Sequence, residues 1–322
     1  MTRLARTVRV TASLTLAAGL VLLVLPRVTG ADWSATLGRL RTLDAWQGVA
    51  LVALWLLGLY AHTYVATAAM PRLTHRRALA MNLSGSAVSN IVPFGGALGM
   101  GLNYRMVRSW GLAGADFAPF TTVTTGVAVL IKLVLPVLAL SLLVLTGGPA
   151  TGALRACAVI GGVVLIAVVG GFAALLSSRR AAAALGHGAQ VVVDRLGRFL
   201  PAARGRDASG AVQGLRERIQ TVVTTGWRRM LLGALAYAAL QAALLWVVLT
   251  MLGSQLGPVA VFAGFAVGRV LTLLVFTPGG LGSSEAGSAA VLIALGGDPV
   301  IVASGIVLFS VLTFALEIPV GG

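Results

Sequence analysis

Val275-Phe276-Thr277-Pro278-Gly279-Gly280-Leu281-Gly282 interrupts an apolar run in the second half of this sequence, and Asn90-Ile91-Val92-Pro93-Phe94-Gly95-Gly96-Ala97-Leu98-Gly99 interrupts one in the first. Each places proline, a glycine pair and then Leu-Gly among residues that otherwise read as membrane helix. Proline removes a helical hydrogen bond and glycine lets the chain turn. In hydrocarbon the freed backbone groups are tolerated only where protein or a watery cavity satisfies them. The two stretches therefore predict broken segments over residues 78–102 and 258–295.

Around the breaks lie apolar runs long enough to cross a bilayer, at about 20 residues each. They fall at residues 10–25, 47–70, 117–145, 154–176, 230–252 and 300–320. Hydrophobic residues make up 58% of the chain and charged residues only 10%, against roughly 25% charged in an ordinary soluble domain. Mean hydropathy is +0.95. The runs are continuous rather than alternating, so helices are expected and not a β-barrel. The expected class is an all-α polytopic membrane protein, residues 1–322 forming one integral membrane domain.

The flanks of the breaks repeat. Gln47 and Met230 are 183 residues apart, Pro93 and Pro278 are 185 apart, and Phe117 and Val300 are 183 apart. Each half, about 1–147 and 148–322, then holds three spans and one re-entrant broken hairpin. Three crossings is odd, so the second half must be inverted in the membrane, and matched Gly/Pro-interrupted segments point to a binding site where the repeats meet. The plainer reading is that these residues merely ease close helix packing.

The net charge of +15 comes from 24 Lys and Arg against 9 Asp and Glu. The arginines sit between apolar spans, where topology needs them, and this argues against nucleic acid as a partner. Basic residues gather at the amino terminus, at Arg72-Leu73-Thr74-His75-Arg76-Arg77, at Arg105 and Arg108, and over a loop at 177–229. If these are cytoplasmic, the amino terminus is inside and the first hairpin enters and leaves by the inner face of a bacterial inner membrane. The Arg3, Arg6 and Arg9 flank and the run at 10–25 resemble a secretory signal, but no small-x-small cleavage site follows, so an uncleaved helix is expected. Val191 to Leu200 carries apolar residues on one helical face and arginines on another; it fits a helix lying among headgroups, or equally a solvated linker with helical pieces.

Lone Cys157 allows no internal disulfide, and His62, His75 and His187 are too dispersed for a metal motif. No nucleophile–base arrangement, P-loop lysine or close carboxylate pair stands out, so neither enzyme activity nor a cofactor is expected.

The two motifs resemble the transmembrane, flippase-like region of bacterial lysylphosphatidylglycerol synthases and its stand-alone homologues. Asn90, Pro93, Gly95, Gly96, Gly99 and Arg105 match that family's first element, and Pro278-Gly279-Gly280-Leu281-Gly282-Ser283-Ser284-Glu285 matches its second. The resemblance covers essentially the whole chain. It departs where the family carries an acidic residue before the arginine region, here Met100 and Asn103, and where a family Glu-Arg pair is replaced by Leu130-Ile131-Lys132. No aminoacyl-transferase domain is found, so a stand-alone member is expected. The resemblance leaves transfer of lipid across the membrane as the implied activity.

Lys132 (the only lysine), Arg269, Glu285 and Glu317 fall within apolar segments. Each costs about 2.5–3.5 kcal/mol at the bilayer centre on insertion scales, which makes each a functional-site hypothesis. Arg105, Lys132 and Arg269 are expected to contact a lipid phosphate, while Asn90, Pro93, Gly95, Gly96, Pro278, Gly279, Gly280 and Gly282 shape the cavity. Glu285 opens the helix after the second break, as a cap or as a partner of Arg269. Glu317 is expected to reach the cytoplasmic surface. His62 is expected to make a helix–helix hydrogen bond.

Three function classes follow. The first is a lipid flippase-like translocator for membrane lipids, anionic or phosphate-bearing. The second is an ion-coupled secondary transporter of a small solute. The third is a non-transporting membrane partner of an envelope-lipid or glycan biosynthetic enzyme; beyond lipids, the partners expected are such an enzyme or further copies of the chain in a homo-oligomer.

Overall fold

The computed structural model describes residues 32–91, 95–147, 162–167, 169–171, 208–273 and 282–317, and these contain no strand. The expected first span at 10–25, the Val191–Leu200 helix, Cys157 and the break residues Pro93, Pro278, Gly279 and Gly280 lie outside them.

A short helix, α1 (Trp33–Leu40), precedes α2 (Ala45–Ala69). The start of α2 is fixed at Asp44, whose backbone N–H donates to Gln47 Oε1 at 2.8 Å, which fills a donor that the helix cannot use itself. Helices α3 (His75–Ile91) and α4 (Gly95–Ser109) flank the first break, and a 3-10 turn at Gly114–Asp116 leads into α5 (Phe117–Leu145). The second half contains α6 (Ala208–Met251), α7 (Pro258–Leu271), α8 (Ser283–Ala294) and α9 (Pro299–Ser310), which runs on into a π-helical turn, Val311–Ala315. Proline at the first position of α7 and of α9 suits a helix start, where its missing N–H has no partner to lose.

Three helices are long and apolar enough to cross a membrane, Ala45–Ala69, Gly114–Leu145 and Gln213–Met251; Gly162–Gly171, Pro258–Leu271 and Pro299–Phe314 are shorter apolar helices. Their outer faces are greasy: Val49 is 70% exposed and Leu145 81%. That is costly in water and ordinary in lipid. The chain is a multi-pass membrane protein.

The spans expected at 47–70 and 117–145 appear within two residues of those bounds. The one expected at 230–252 does not begin there. It is the second part of α6, an unbroken 44-residue helix about 66 Å long. Of the basic stretch expected over 177–229, residues 208–229 are helix, and 177–207 lie outside the described residues. Leu215, Ile219, Val222 and Val223 recur at helical spacing and join the buried cluster that includes Met70, Val107, Phe120 and Val123, which gives this polar stretch an apolar stripe to bury.

Both broken segments fold back on themselves. A Cβ on Gly99 would sit 2.7 Å from the Gly85 carbonyl oxygen, and one on Gly85 would sit 2.9 Å from Asn103. Residues about equally far from the 92–94 break thus meet, so α3 and α4 are antiparallel, and at their far ends Arg77 lies 5.2 Å over the Trp110 ring. In the second segment Gly264 faces Leu292, Gly268 faces Ser288 and Gly287 faces Leu271, again antiparallel. Only glycine permits such backbone approach.

Helices α2 and α6 also run in opposite directions, with Gly226 against Ala68, Gly233 against Tyr64 and Ala61, and Gly58 against Leu240. The main core joins α2, α5, α6, α7, α8 and α9 through Leu51, Trp55, Leu135, Leu245, Leu249, Phe265, Leu292 and Val302.

Candidate functional site

Polar side chains on four helices converge between the halves. His62 of α2, Thr124 and Lys132 of α5, Tyr237 and Gln241 of α6 and Arg269 of α7 line a cavity of about 240 Å³, together with apolar neighbours such as Val127 and Ile131. Tyr237 and Gln241 share a face because they are four residues apart on α6, and Gln241 Nε2 lies 2.8 Å from the Tyr237 hydroxyl. Gln241 Oε1 is buried with no hydrogen-bond partner among the described residues. His62 meets Asn82 of α3 at 3.1 Å through Nδ1 and packs its ring 4.7 Å from that of Tyr237. The helix–helix hydrogen bond expected of His62 is therefore present.

Arg269 lies between two aromatic rings. Its guanidinium carbon is 5.0 Å from the Phe265 ring centre and 5.7 Å from that of Phe309. Ring faces attract a cation, and more so away from water. Nη2 is nonetheless buried with no hydrogen-bond acceptor among the described residues. A guanidinium offers five donors and accepts nothing, so this nitrogen has donor capacity to spare.

Arg269 also borders a second, water-sized cavity of about 30 Å³, lined by Thr272, Ser284, Glu285, Ser288 and Ser310 among others. Glu285 is 4% exposed. Its Oε2 accepts from the Gly282 N–H at 2.6 Å and from the Ser284 hydroxyl at 2.8 Å. Its Oε1 accepts from Ser310 on α9 at 2.9 Å. Gly282 holds φ at +91°, a backbone region that favours glycine. Glu285 is thus the cap of α8 and its tie to α9. It forms no ion pair with Arg269; Arg218 and Asp116 pair at 3.3 Å on the surface. Of the two roles expected for Glu285, the geometry selects the cap.

The other expected site residues divide. Lys132 and Arg269 share the central cavity. Arg105 lies on the exposed face of α4 and does not line it. Asn90 stands in the last turn of α3, and Gly95 and Gly96 open α4. Glu317 is 8% exposed and engaged in an interaction of its own, which corrects the expectation that it reaches the surface. Its electrostatic reach extends to Tyr237, as does that of Arg269. The π-helical turn just before it is the kind of helix irregularity often met at functional sites. Sequence reasoning passed over Thr124, Tyr237, Gln241 and Ser310. The available signal was polar residues isolated in apolar runs, with Tyr237 and Gln241 at helical spacing.

Residues 10–321 match the model of the lysylphosphatidylglycerol synthase TM region. The chain belongs to this family. A search of curated proteins finds no match. Membership in the lysylphosphatidylglycerol synthase TM-region family, together with the long apolar helices, makes this a membrane protein related to lipid metabolism.

Proposed function

We propose that the chain is a lipid translocator of a bacterial inner membrane, with its amino terminus in the cytoplasm and no catalytic step of its own. The observation that carries this reading is the pair of cations, Lys132 and Arg269, in a cavity that otherwise offers neutral polar groups and apolar walls. A lipid phosphate supplies the acceptor that Arg269 Nη2 lacks, and guanidinium suits the flat, two-pronged geometry of phosphate oxygens.

The two folded-back helix pairs act as re-entrant hairpins in an inverted repeat. Supporting this, α3 and α7 begin 183 residues apart and α5 and α9 begin 182 apart. The helices that the sequence offset equates, α2 and the membrane part of α6, run antiparallel, as inversion requires. The cavity lies among elements of both halves, where alternating access would expose it first to one leaflet and then to the other.

The test is reconstitution of the full chain into vesicles carrying a trace of head-labelled phospholipid, with quencher added outside. Translocation exposes inner-leaflet label to the quencher. Wild type should exceed empty vesicles, and Arg269→Ala should fall toward them. No excess over empty vesicles, with no lipid retained after gentle purification, would overturn the reading.

A further inference from the structure

A separate cavity of about 230 Å³ opens where α2 ends, between the start of α3 and α6. Thr67, Pro71, His75, Thr225, Gly226 and Arg229 are part of its lining, and none of its lining residues borders the central cavity. Gly226 brings α6 against α2 here, since a Cβ on it would stand 2.8 Å from the Ala68 carbonyl oxygen. Thr225 and Arg229 are four residues apart and share a face of α6.

His75 is fixed from the opposite side. Its ring packs 4.6 Å from that of Tyr64 and 5.4 Å from that of Tyr60. Its Nδ1 lies 2.7 Å from the Thr63 hydroxyl. That hydroxyl has a single hydrogen and gives it to the Tyr60 carbonyl oxygen at 2.6 Å. It therefore accepts the Nδ1 proton, and Nε2 is the atom left to meet a ligand, donating when the ring is an imidazolium.

Charge around this cavity has one sign. Arg229 lines it, and exposed Arg72, Arg76 and Arg228 adjoin its lining residues in the chain. The residues from Ala45 to Ile91 and from Arg218 to Met251 include no Asp or Glu, so α2, α3 and this part of α6 supply no counter-charge. The cavity also lies at a defined depth. Thr67 and Ala68 stand in the last turn of an apolar span, where hydrocarbon gives way to headgroups. Half-exposed Trp227, with Arg228 lying 5.5 Å over its ring, and exposed Tyr60 and Tyr64 gather near the same level, as aromatic residues do at a membrane boundary. Basic pockets between membrane helices at such a boundary suit lipid phosphates.

We propose that this cavity is a fixed site for the phosphate of a membrane lipid of net negative charge, which braces α2, α3 and α6 from outside any translocation route. Arg229 offers the phosphate a two-pronged contact, and Thr67, Thr225 and the His75 imidazolium add donors. A zwitterionic lipid brings the same phosphate together with a cation, which meets Arg72, Arg76 and Arg228 without a carboxylate to pair with. The proposal requires a membrane protein and not a translocator, so it can fail or stand independently of the reading above.

The test is protection of a cysteine in the cavity. The purified full chain carrying Cys157→Ser and Pro71→Cys, in neutral detergent, is labelled with maleimide while one probe at a time is added: dioctanoyl phosphatidylglycerol, dioctanoyl phosphatidylcholine or inorganic phosphate. The control is Gln255→Cys in the same background, exposed beyond the other end of α6. Phosphatidylglycerol should slow labelling of Pro71→Cys at least about fivefold, and phosphatidylcholine or phosphate at equal concentration less than about twofold. Adding Arg229→Gln should raise the lipid concentration for half-protection by about tenfold, and Arg229→Lys by less. Protection equal for the two lipids, equal at Gln255→Cys, or unchanged by Arg229→Gln overturns the proposal, as does no protection at all. Phosphate protecting as well as phosphatidylglycerol overturns the lipid as its source. If Pro71→Cys does not fold, Thr225→Cys in the same background is read by the same criteria.

Discussion

Replacing Glu285 by alanine isolates what this carboxylate does. It accepts three hydrogen bonds, from the Gly282 N–H, the Ser284 hydroxyl and the Ser310 hydroxyl. The hydroxyls can rotate toward carbonyl oxygens of their own helices and recover much of what they lose. The Gly282 N–H is held at a turn and cannot. A buried donor left without a partner costs about 1–3 kcal/mol, so Glu285→Ala should destabilise the protein by about that much. Glu285→Gln keeps an acceptor for Gly282 and sheds the burial cost of charge, so it should cost less than about 1 kcal/mol. Because Arg269 and Glu285 form no ion pair, a double-mutant cycle between Arg269→Ala and Glu285→Ala should give a coupling energy below about 0.5 kcal/mol. Denaturant unfolding of the purified protein in one detergent, followed by tryptophan fluorescence, measures all four variants. Glu285→Gln as damaging as Glu285→Ala, or a coupling above about 1 kcal/mol, would refute the cap and restore a charge pair.

Further outcomes follow from other contacts. Gly99→Ala and Gly226→Ala each drive a methyl group toward a backbone carbonyl, at 2.7 Å from Gly85 and 2.8 Å from Ala68, and should each cost about 1–3 kcal/mol in the same unfolding assay. Arg218→Ala should change stability by less than about 1 kcal/mol, since the Arg218 and Asp116 side chains are 53% and 56% exposed; a larger loss in low salt would show that this pair anchors α6. In a Cys157→Ser background, Arg77→Cys and Arg108→Cys should both react with an impermeant maleimide from the inner side, and Gln255→Cys and Pro299→Cys both from the outer side. Labelling of either pair from opposite sides would rule out that hairpin.

The breaks were legible because proline and paired glycine in an apolar run have few other uses, and the structure brings α3 onto α4 and α7 onto α8 around them. The ends of α2 and α5 were legible from where apolarity starts and stops. The start of α6 was not. Its first turns hold Arg216, Glu217 and Arg218, with Arg228 and Arg229 further along, and the stripe of Leu215, Ile219, Val222 and Val223 has meaning only against the cluster it joins, with Met70, Val107, Phe120 and Val123. At the site, Lys132 and Arg269 stood out because charge is costly among apolar neighbours. Tyr237 and Gln241 did not, being ordinary residues for a helix interface. Which cations share a cavity is a matter of helix packing, and one sequence does not fix it: Arg105 looked equivalent to Lys132 and lies elsewhere.

The unbroken length of α6 couples two places that a membrane would separate. Its start at Ala208 and its cavity residue Tyr237 stand on one rod, about 44 Å apart at 1.5 Å per residue. No proline interrupts it, so it has no ready hinge. A tilt of about 5° about the level of Tyr237 would carry the far end by about 4 Å. The same geometry works in reverse, so that anything gripping the helix outside the bilayer, whether a protein or a charged lipid surface, gains leverage on the cavity wall. A helix of this kind reports the state of one compartment to a site buried in another with no moving part between them.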